Sequence, residues 1–570
     1  MVGIMQNPHS NPLSRRNLLM AAPAAVAGAG LLGQTRLAAQ DAAPAATANP
    51  GAPNANLGAR IYNVRDFGAR GDGQTLDTAA VQAAIDACTR DKGGTVVVPA
   101  GDFIVGTVEL KSNVTLHLSP AGRLLGSGKP EHYTAGKGVP PGNGNVVLLY
   151  AADADNVTIE GRGTIDGQGD KFYTGKGDNT GPGGNRAEAY VARPHLAIFY
   201  RCRNLLVRDV FLTRSAYHCM RILECRYVHL DGVRIHNRVN LNNDGFHINS
   251  SEYVNIANCN VTCQDDACAL FGSNRFVTVT NCTFSTRWSI FRFGNGQAEN
   301  ITISNCVVYD TYGCVIKMRC GAGSRIENVA FSNLIMNNVT GPISVGLDSG
   351  YGRPAQQTNP RPKGMVRNLM FNGIRATVLS EGRQYADMPF RNNFRPGETR
   401  TCITLNGVGD EFLEGITFQD IHVTYGGGGT AEEAARRGVP RMAGEYFELG
   451  TLPAYGMYAR NVRGLSLNNI RFEVATPDVR PAMVFDRVED AAVNGFSAQG
   501  NPSAESLLRF SDARDVLLTG CRVLTPATVF LQVEGAASQG ITVDGGDLSK
   551  AAKPLSFAGG AASESVKLRS

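Results

Sequence analysis

Charge is scarce in this sequence and nearly cancels: 18% of the 570 residues are Asp, Glu, Lys or Arg, and the net is +5. That leaves no polybasic signature for nucleic acid or for an anionic membrane surface. Aromatics are few as well, at 7%, with Trp288 the single Trp. No CxxC pair occurs among the 13 cysteines, which argues against a zinc site. The one long apolar run, Leu18 to about Gly33, is too short for a convincing membrane span. What the chain has in quantity is glycine, 66 residues, and many short Val/Ile runs. Such a composition suits a turn-rich all-β protein and no helix-rich class.

Residues 1–40 read as an address. Ser14-Arg15-Arg16-Asn17-Leu18-Leu19 is a twin-arginine pattern ahead of the apolar run, and Ala38-Ala39-Gln40 offers small residues for cleavage. A chance Arg-Arg in a disordered tail is the alternative. An Ala/Pro/Asn linker over 41–57 has nothing to pack. The mature domain is expected over 58–570, working in the periplasm or outside the cell as a monomer with no membrane span.

Thr78 to Cys88 carries Ala80, Ala84, Ile85 and Cys88 along one helical face, and Gly93-Gly94 ends it. The strands Thr95–Pro99 and Val114–Leu118 follow. A helix there would cover the open first edge of a strand array.

The array announces itself by repetition. Asn204-Leu205-Leu206-Val207, Tyr227-Val228-His229-Leu230, Tyr253-Val254-Asn255-Ile256, Phe276-Val277-Thr278-Val279, Asn300-Ile301-Thr302-Ile303 and Asn328-Val329-Ala330-Phe331 are one element recurring. Their second residues lie 23, 26, 23, 24 and 28 positions apart, with an earlier copy at Asn156 and further copies as far as Gly540. A period near 24 built of short strands without helix implies coils of a parallel β-helix. Five positions after each second residue come Val210, Val233, Cys259, Cys282, Cys306, Leu334, Ile374, Ile421, Ile470 and Cys521. An aliphatic residue or Cys at one phase of ten coils is an inward-pointing stack, so these cysteines are expected as small apolar fillers. Cys263 and Cys268 are expected as free thiols.

Against this background three carboxylates stand within 23 positions: Asp244, Asp265 and Asp266. Asp244 lies 10 before Val254, the Asp pair 12 and 11 before Val277, and Lys317 12 before Val329. Near-equal phase on coils about 4.8 Å apart puts these groups on one face. Crowded like charges push one carboxyl's pKa up. A carboxylic acid beside a carboxylate is the pairing that glycoside hydrolysis uses. Asp residues in solvent-facing turns, or an Asn/Asp ladder at the coil corners, are the plainer explanation.

Asn-Asn-Asp-Gly at 242–245, Gln-Asp-Asp at 264–266 and Val-Ile-Lys at 315–317 resemble, in order and spacing, the Asn-Thr-Asp, Gly-Asp-Asp and Arg-Ile-Lys motifs of glycoside hydrolase family 28. These are the polygalacturonases and rhamnogalacturonase-like pectin hydrolases. The resemblance implies a right-handed parallel β-helix, Asp265 as general acid, Asp244 with Asp266 positioning water for inversion, and Lys317 binding the substrate's carboxylate. No metal and no cofactor are implied; the partner is a pectic polysaccharide or oligosaccharide.

Departures accompany the match. Thr286-Arg287-Trp288-Ser289 stands where polygalacturonases carry Gly-His-Gly, and Val315 replaces the Arg of the lysine motif, with Arg319 close by. His247 stands where many relatives have an acid. Rhamnogalacturonan-cleaving members also lack the His of Gly-His-Gly, so an uncommon linkage comes into view. Trp288 is a platform for a sugar ring or a packed side chain. Arg287 and Arg292 are candidates to replace the missing cations or else plain surface arginines, the latter reading applying most to Arg292, which alternation turns away from Phe291 and Phe293. His218 and Arg193 precede the site by one or two coils and are candidates to line the cleft, with a hydrogen-bonded structural role as the favoured reading of His218. Long Gly/Pro/Arg/Asn-rich stretches at 341–363 and 381–399, and a piece at 425–453 with a short helix over Thr430–Arg437, are expected as cleft walls, made cationic by Arg353, Arg361, Arg391 and Arg395. A calcium-dependent lyase on the same scaffold, and a non-catalytic carbohydrate-binding β-helix, remain as other readings.

Overall fold

The computed structural model describes residues 60–141, 144–173, 193–347, 363–391, 394, 397–439 and 449–569. The twin-arginine segment, the linker, Arg353, Arg361 and Arg395 lie outside the described residues. A helix, α1 (Thr78–Arg90), lies inside the first coil and not ahead of it, because Arg60–Asn63 and Asp72–Leu76 before it already pair in parallel with Gly94–Val98 and Gly101–Val105 after it; Val81, Ala84, Ile85 and Cys88 on its buried side join the core. It runs two residues beyond the expected end. Among the described residues no helix is long and apolar enough to cross a membrane.

The chain winds as a parallel β-helix from its first described strand, Arg60–Asn63. Through the site region a coil contributes three strands, such as Glu252–Ala257, Asn260–Cys263 and Cys268–Phe271, and each pairs in parallel with the strand three places on. Later coils fuse the first two strands into one, as in Gln297–Thr311. The inward stack runs where the repeat placed it: Val210, Val233, Cys259, Cys282, Cys306, Leu334, Ile374, Ile421, Ile470 and Cys521 are all 2% exposed or less. All 13 cysteines are free and buried, Cys263 and Cys268 among them.

The first residue of each repeat makes the corner. Asn204, Tyr227, Tyr253, Phe276, Asn300 and Asn328 have φ between 55° and 59°, a left-handed conformation that non-glycine residues rarely adopt. Stacking offsets that cost. Asn204 donates to Asn156 at 2.9 Å and Asn328 to Asn300 at 3.1 Å, while Tyr227, Tyr253 and Phe276 pile their rings 5.0 Å apart. An Asn ladder at the corners therefore exists, on a different row from the three aspartates.

One sheet face carries the site. Its strands are β1 (Met220–Leu223), β2 (Phe246–Asn249), β3 (Cys268–Phe271), β4 (Ser289–Phe293), β5 (Cys314–Cys320) and β6 (Ile343–Leu347), paired in parallel in that order. Arg221, His247, Ala269, Arg292, Lys317 and Ser344 form a single row across them.

Candidate active site

The aspartates sit in the turns that enter β2 and β3. Extending the register Phe246 to Cys268 back by two residues sets Asp244 against Asp266 on the neighbouring coil, and the Gly245 N–H donates to the Asp266 carbonyl at 2.9 Å. A Cβ on Gly245 would stand 2.4 Å from the Ala267 carbonyl oxygen, so the motif's glycine is demanded by the closeness of the coils. Asn243 braces the turn. Its side-chain oxygen accepts from the Val239 and Asn240 N–H groups, and its amide donates to the carbonyls of Ser215 at 2.9 Å and Tyr217 at 2.8 Å.

Asp265 is half-buried. It accepts from the Asn242 amide at 3.1 Å and from the Asp266 N–H at 2.9 Å. Arg193 in turn holds Asn242 at 3.3 Å and lies over the Tyr217 ring. From the other side the Thr286 hydroxyl donates to the Asp265 carbonyl. Asn242 and Thr286 were not singled out from the sequence, although Asn242 belongs to the first motif.

Asp244 is 4% exposed, with its Oδ2 2.8 Å from His247 Nδ1 and its Oδ1 3.8 Å from His218 Nε2. The His247 ring stacks between His218 at 4.7 Å and Phe271 at 5.0 Å. Burial first, and then the charge of Asp266, pushes the Asp244 carboxyl well above the usual carboxylate range. Burial with the Arg221 charge behind it lowers His247 to about 4, and burial lowers His218 well below an ordinary imidazole. The carboxyl that is pushed up is thus Asp244, mainly through desolvation, whereas the family resemblance assigns the acid to Asp265.

His218, Asp244 and His247 are the one group among the described residues with ligand atoms close enough to hold a metal, all within 4.8 Å of one another. Their geometry does not suit one. The two imidazoles stack at an interplanar angle of 17°, so their in-plane lone pairs run side by side without converging, and Asp244 is already hydrogen-bonded to His247.

Counting back from Val329 put Lys317 at the phase of the aspartates; strand register puts it three residues further along. Ser289 pairs with Cys314, so Cys314 occupies the Asp266 level and Lys317 stands inside β5. The count failed because Phe293 pairs with Met318 and Gln297 with Arg325, so the chain takes three more residues to reach the next coil after β5 than after β4. Lys317 is 3% exposed, and burial followed by the Arg292 charge drives its ammonium well below the usual range, with Asp266 acting in the opposite sense. Arg319, two residues on and on the same side of β5, is buried likewise.

Of the two candidate arginines, Arg292 stands beside the aspartates while Arg287 is paired elsewhere. Arg292 does point away from Phe291 and Phe293, as alternation requires, but that direction is into the site. Its Nε lies 3.4 Å from Asp266 Oδ2 and its guanidinium over the Phe271 ring. Arg287, proposed from the sequence as a substrate cation, is buried in an ion pair with Glu398 at 3.1 Å, both side chains 1% exposed, and donates to the Tyr312 carbonyl. Trp288 is half-buried beside it, with the Arg287 guanidinium 4.8 Å over its ring.

Glu398 belongs to the expected wall over 381–399. Tyr385 in the same stretch donates to the Thr286 carbonyl at 2.7 Å and lies under the Arg238 guanidinium, which also pairs with Asp387 at 3.1 Å. Arg400 continues to Glu433 at 2.8 Å in the short helix α2 (Ala431–Ala435), whose N-terminus Thr430 caps. This stretch therefore packs along the turns that carry the aspartates.

Comparison with known proteins agrees with this architecture. The family model described as Glycosyl hydrolases family 28 matches residues 88–435. An exopolygalacturonase of Platanus acerifolia is 26% identical over 333 residues, covering 56% of this chain and 82% of the relative. A polygalacturonase of Gossypium hirsutum is also 26% identical, covering 60% and 87%. Among solved structures, the family 28 exopolygalacturonase of Yersinia enterocolitica superposes with a TM-score of 0.57 at 20% identity over 77% of this chain and 79% of its own. With a parallel β-helix, three aspartates in the turns entering two adjacent strands and a family match over more than half its length, this chain belongs to glycoside hydrolase family 28.

Proposed function

We propose that the protein is an exported hydrolase of pectic polysaccharide, or of oligosaccharides released from it, acting with inversion at the anomeric carbon. One observation carries the reading: Asp244 and Asp266 meet on adjacent coils with Asp265 alongside, held by Asn242 and Thr286. Asp265, the most exposed of the three, donates a proton to the glycosidic oxygen as the C1–O bond breaks. Asp266, aided by Asp244, takes a proton from the water that attacks C1 from the opposite face. Lys317 and Arg319 supply positive charge at the floor of the site for a uronate.

The family match and the polygalacturonase names of the relatives support a pectic substrate, and nothing observed favours a lyase. The twin-arginine pattern supports export. Turnover of purified protein on polygalacturonan and rhamnogalacturonan, following reducing ends together with ultraviolet absorbance, tests the reading. Reducing ends without absorbance are expected, and Asp265→Asn is expected to lower kcat by a factor on the order of a thousand. Absorbance rising in step would identify a lyase instead, and no turnover of either polymer would favour a binding protein.

A further inference from the structure

We infer that Arg292 is a specificity-determining residue: with Lys317 it grips the free carboxylate of a uronate lying over Asp266. The inference rests on the hydrolase reading above and names what its site selects.

In the lysine motif the family's first Arg is replaced here by Val315, which is completely buried. The cation lost at that position returns one coil earlier. Arg292 pairs in register with Lys317, so the two Cα atoms stand about one inter-strand spacing apart, about 4.8 Å, on the same side of the sheet. On the other side the register partner of Arg292 is Ala269. A methyl group there lets the long side chain lean back over the preceding coil, where its guanidinium reaches Asp266 at 3.4 Å and covers Phe271. The Arg292 guanidinium thus stands beside Asp266 from the coil that follows it, with Lys317 on the same side of the sheet one coil further on.

A uronate whose C1 faces Asp266 meets both with its C6 carboxylate. The planar guanidinium accommodates two carboxylate oxygens at once, whereas the ammonium acts as a point charge. A methyl ester cancels the charge and blocks one oxygen, and a neutral hexose has neither. Arg292 therefore separates free-acid from esterified backbone.

The test is calorimetric binding to the full mature chain carrying Asp265→Asn, which holds ligand without cleaving it. Trigalacturonate and its fully methyl-esterified form are titrated into that protein and into the same protein bearing Arg292→Gln or Arg292→Lys. Loss of one charge-assisted contact, about 2 kcal/mol, predicts about a 30-fold weaker Kd for the acid with Arg292→Gln. The ester should change less than about twofold, and Arg292→Lys should fall between. Equal losses on both ligands, or none, would overturn the assignment and leave Arg292 as a brace for Asp266. In that case cleavage of polygalacturonan by the wild type would still uphold the hydrolase reading. If Asp265→Asn bound neither oligomer and the wild type cleaved no pectic polymer, both readings would fall together.

Discussion

Glu398→Ala is the sharpest perturbation of the wall that flanks the aspartates. The substitution leaves the Arg287 guanidinium at 1% exposure without its carboxylate, and breaking a buried pair from one side costs about 3–5 kcal/mol. Replacing both partners by Met removes the charges together. The apolar pair is expected to be neutral or better, offset by about 1 kcal/mol for the Tyr312 carbonyl that loses its donor. Arg287→Met/Glu398→Met should therefore recover most of the stability lost in Glu398→Ala. Urea denaturation midpoints measure this, and KM on the pectic polymer is read on the same preparations. If Arg287 is a structural anchor, the double variant recovers stability and keeps KM within about twofold, given that the Arg287 guanidinium is packed over Phe394 and Trp288. A double variant as stable as wild type but with KM raised about tenfold would refute the argument and restore Arg287 as a substrate contact.

Two further outcomes follow from the same structure. The unfolded imidazole of His247 protonates near 6.5 and the folded one only near about 4, so its stabilising contribution is complete above 6.5 and is lost as pH falls toward 4. At about 1.4 kcal/mol per pH unit this amounts to about 3 kcal/mol, and His247→Gln should flatten the fall in unfolding free energy between pH 7 and pH 4 by that amount; an unchanged slope would contradict it. Because all 13 cysteines are buried thiols, adding reductant should leave the midpoint unmoved, and a drop would reveal a bridge such as one between Cys263 and Cys268.

Much of the fold was legible in the chain because a β-helix is nearly one-dimensional: each coil contacts its neighbours, so a property recurring about every 24 residues maps directly onto a stack. The inward series from Val210 to Cys521, the helix after Thr78 and the free thiols needed no knowledge of distant contacts. The aspartates were legible for the same reason, since Asp244 and Asp266 are separated by one coil. Lys317 shows the limit: its level depends on how many residues the next turn consumes, and only the pairing of Ser289 with Cys314 settles that. Arg287 and Arg292 show another. Alternation assigned Arg292 its side of the strand correctly, but whether that side is solvent or site depends on the coils above and below. Arg287 was taken by Glu398, 111 residues away, a partner that no local pattern announces. The chain's periodicity by itself determined the solenoid, its core stack and the adjacency of the carboxylates. Tertiary structure decided which cations reach them, because long side chains choose partners by proximity in space, and the wall that claims Arg287 arrives from an insertion outside the repeat.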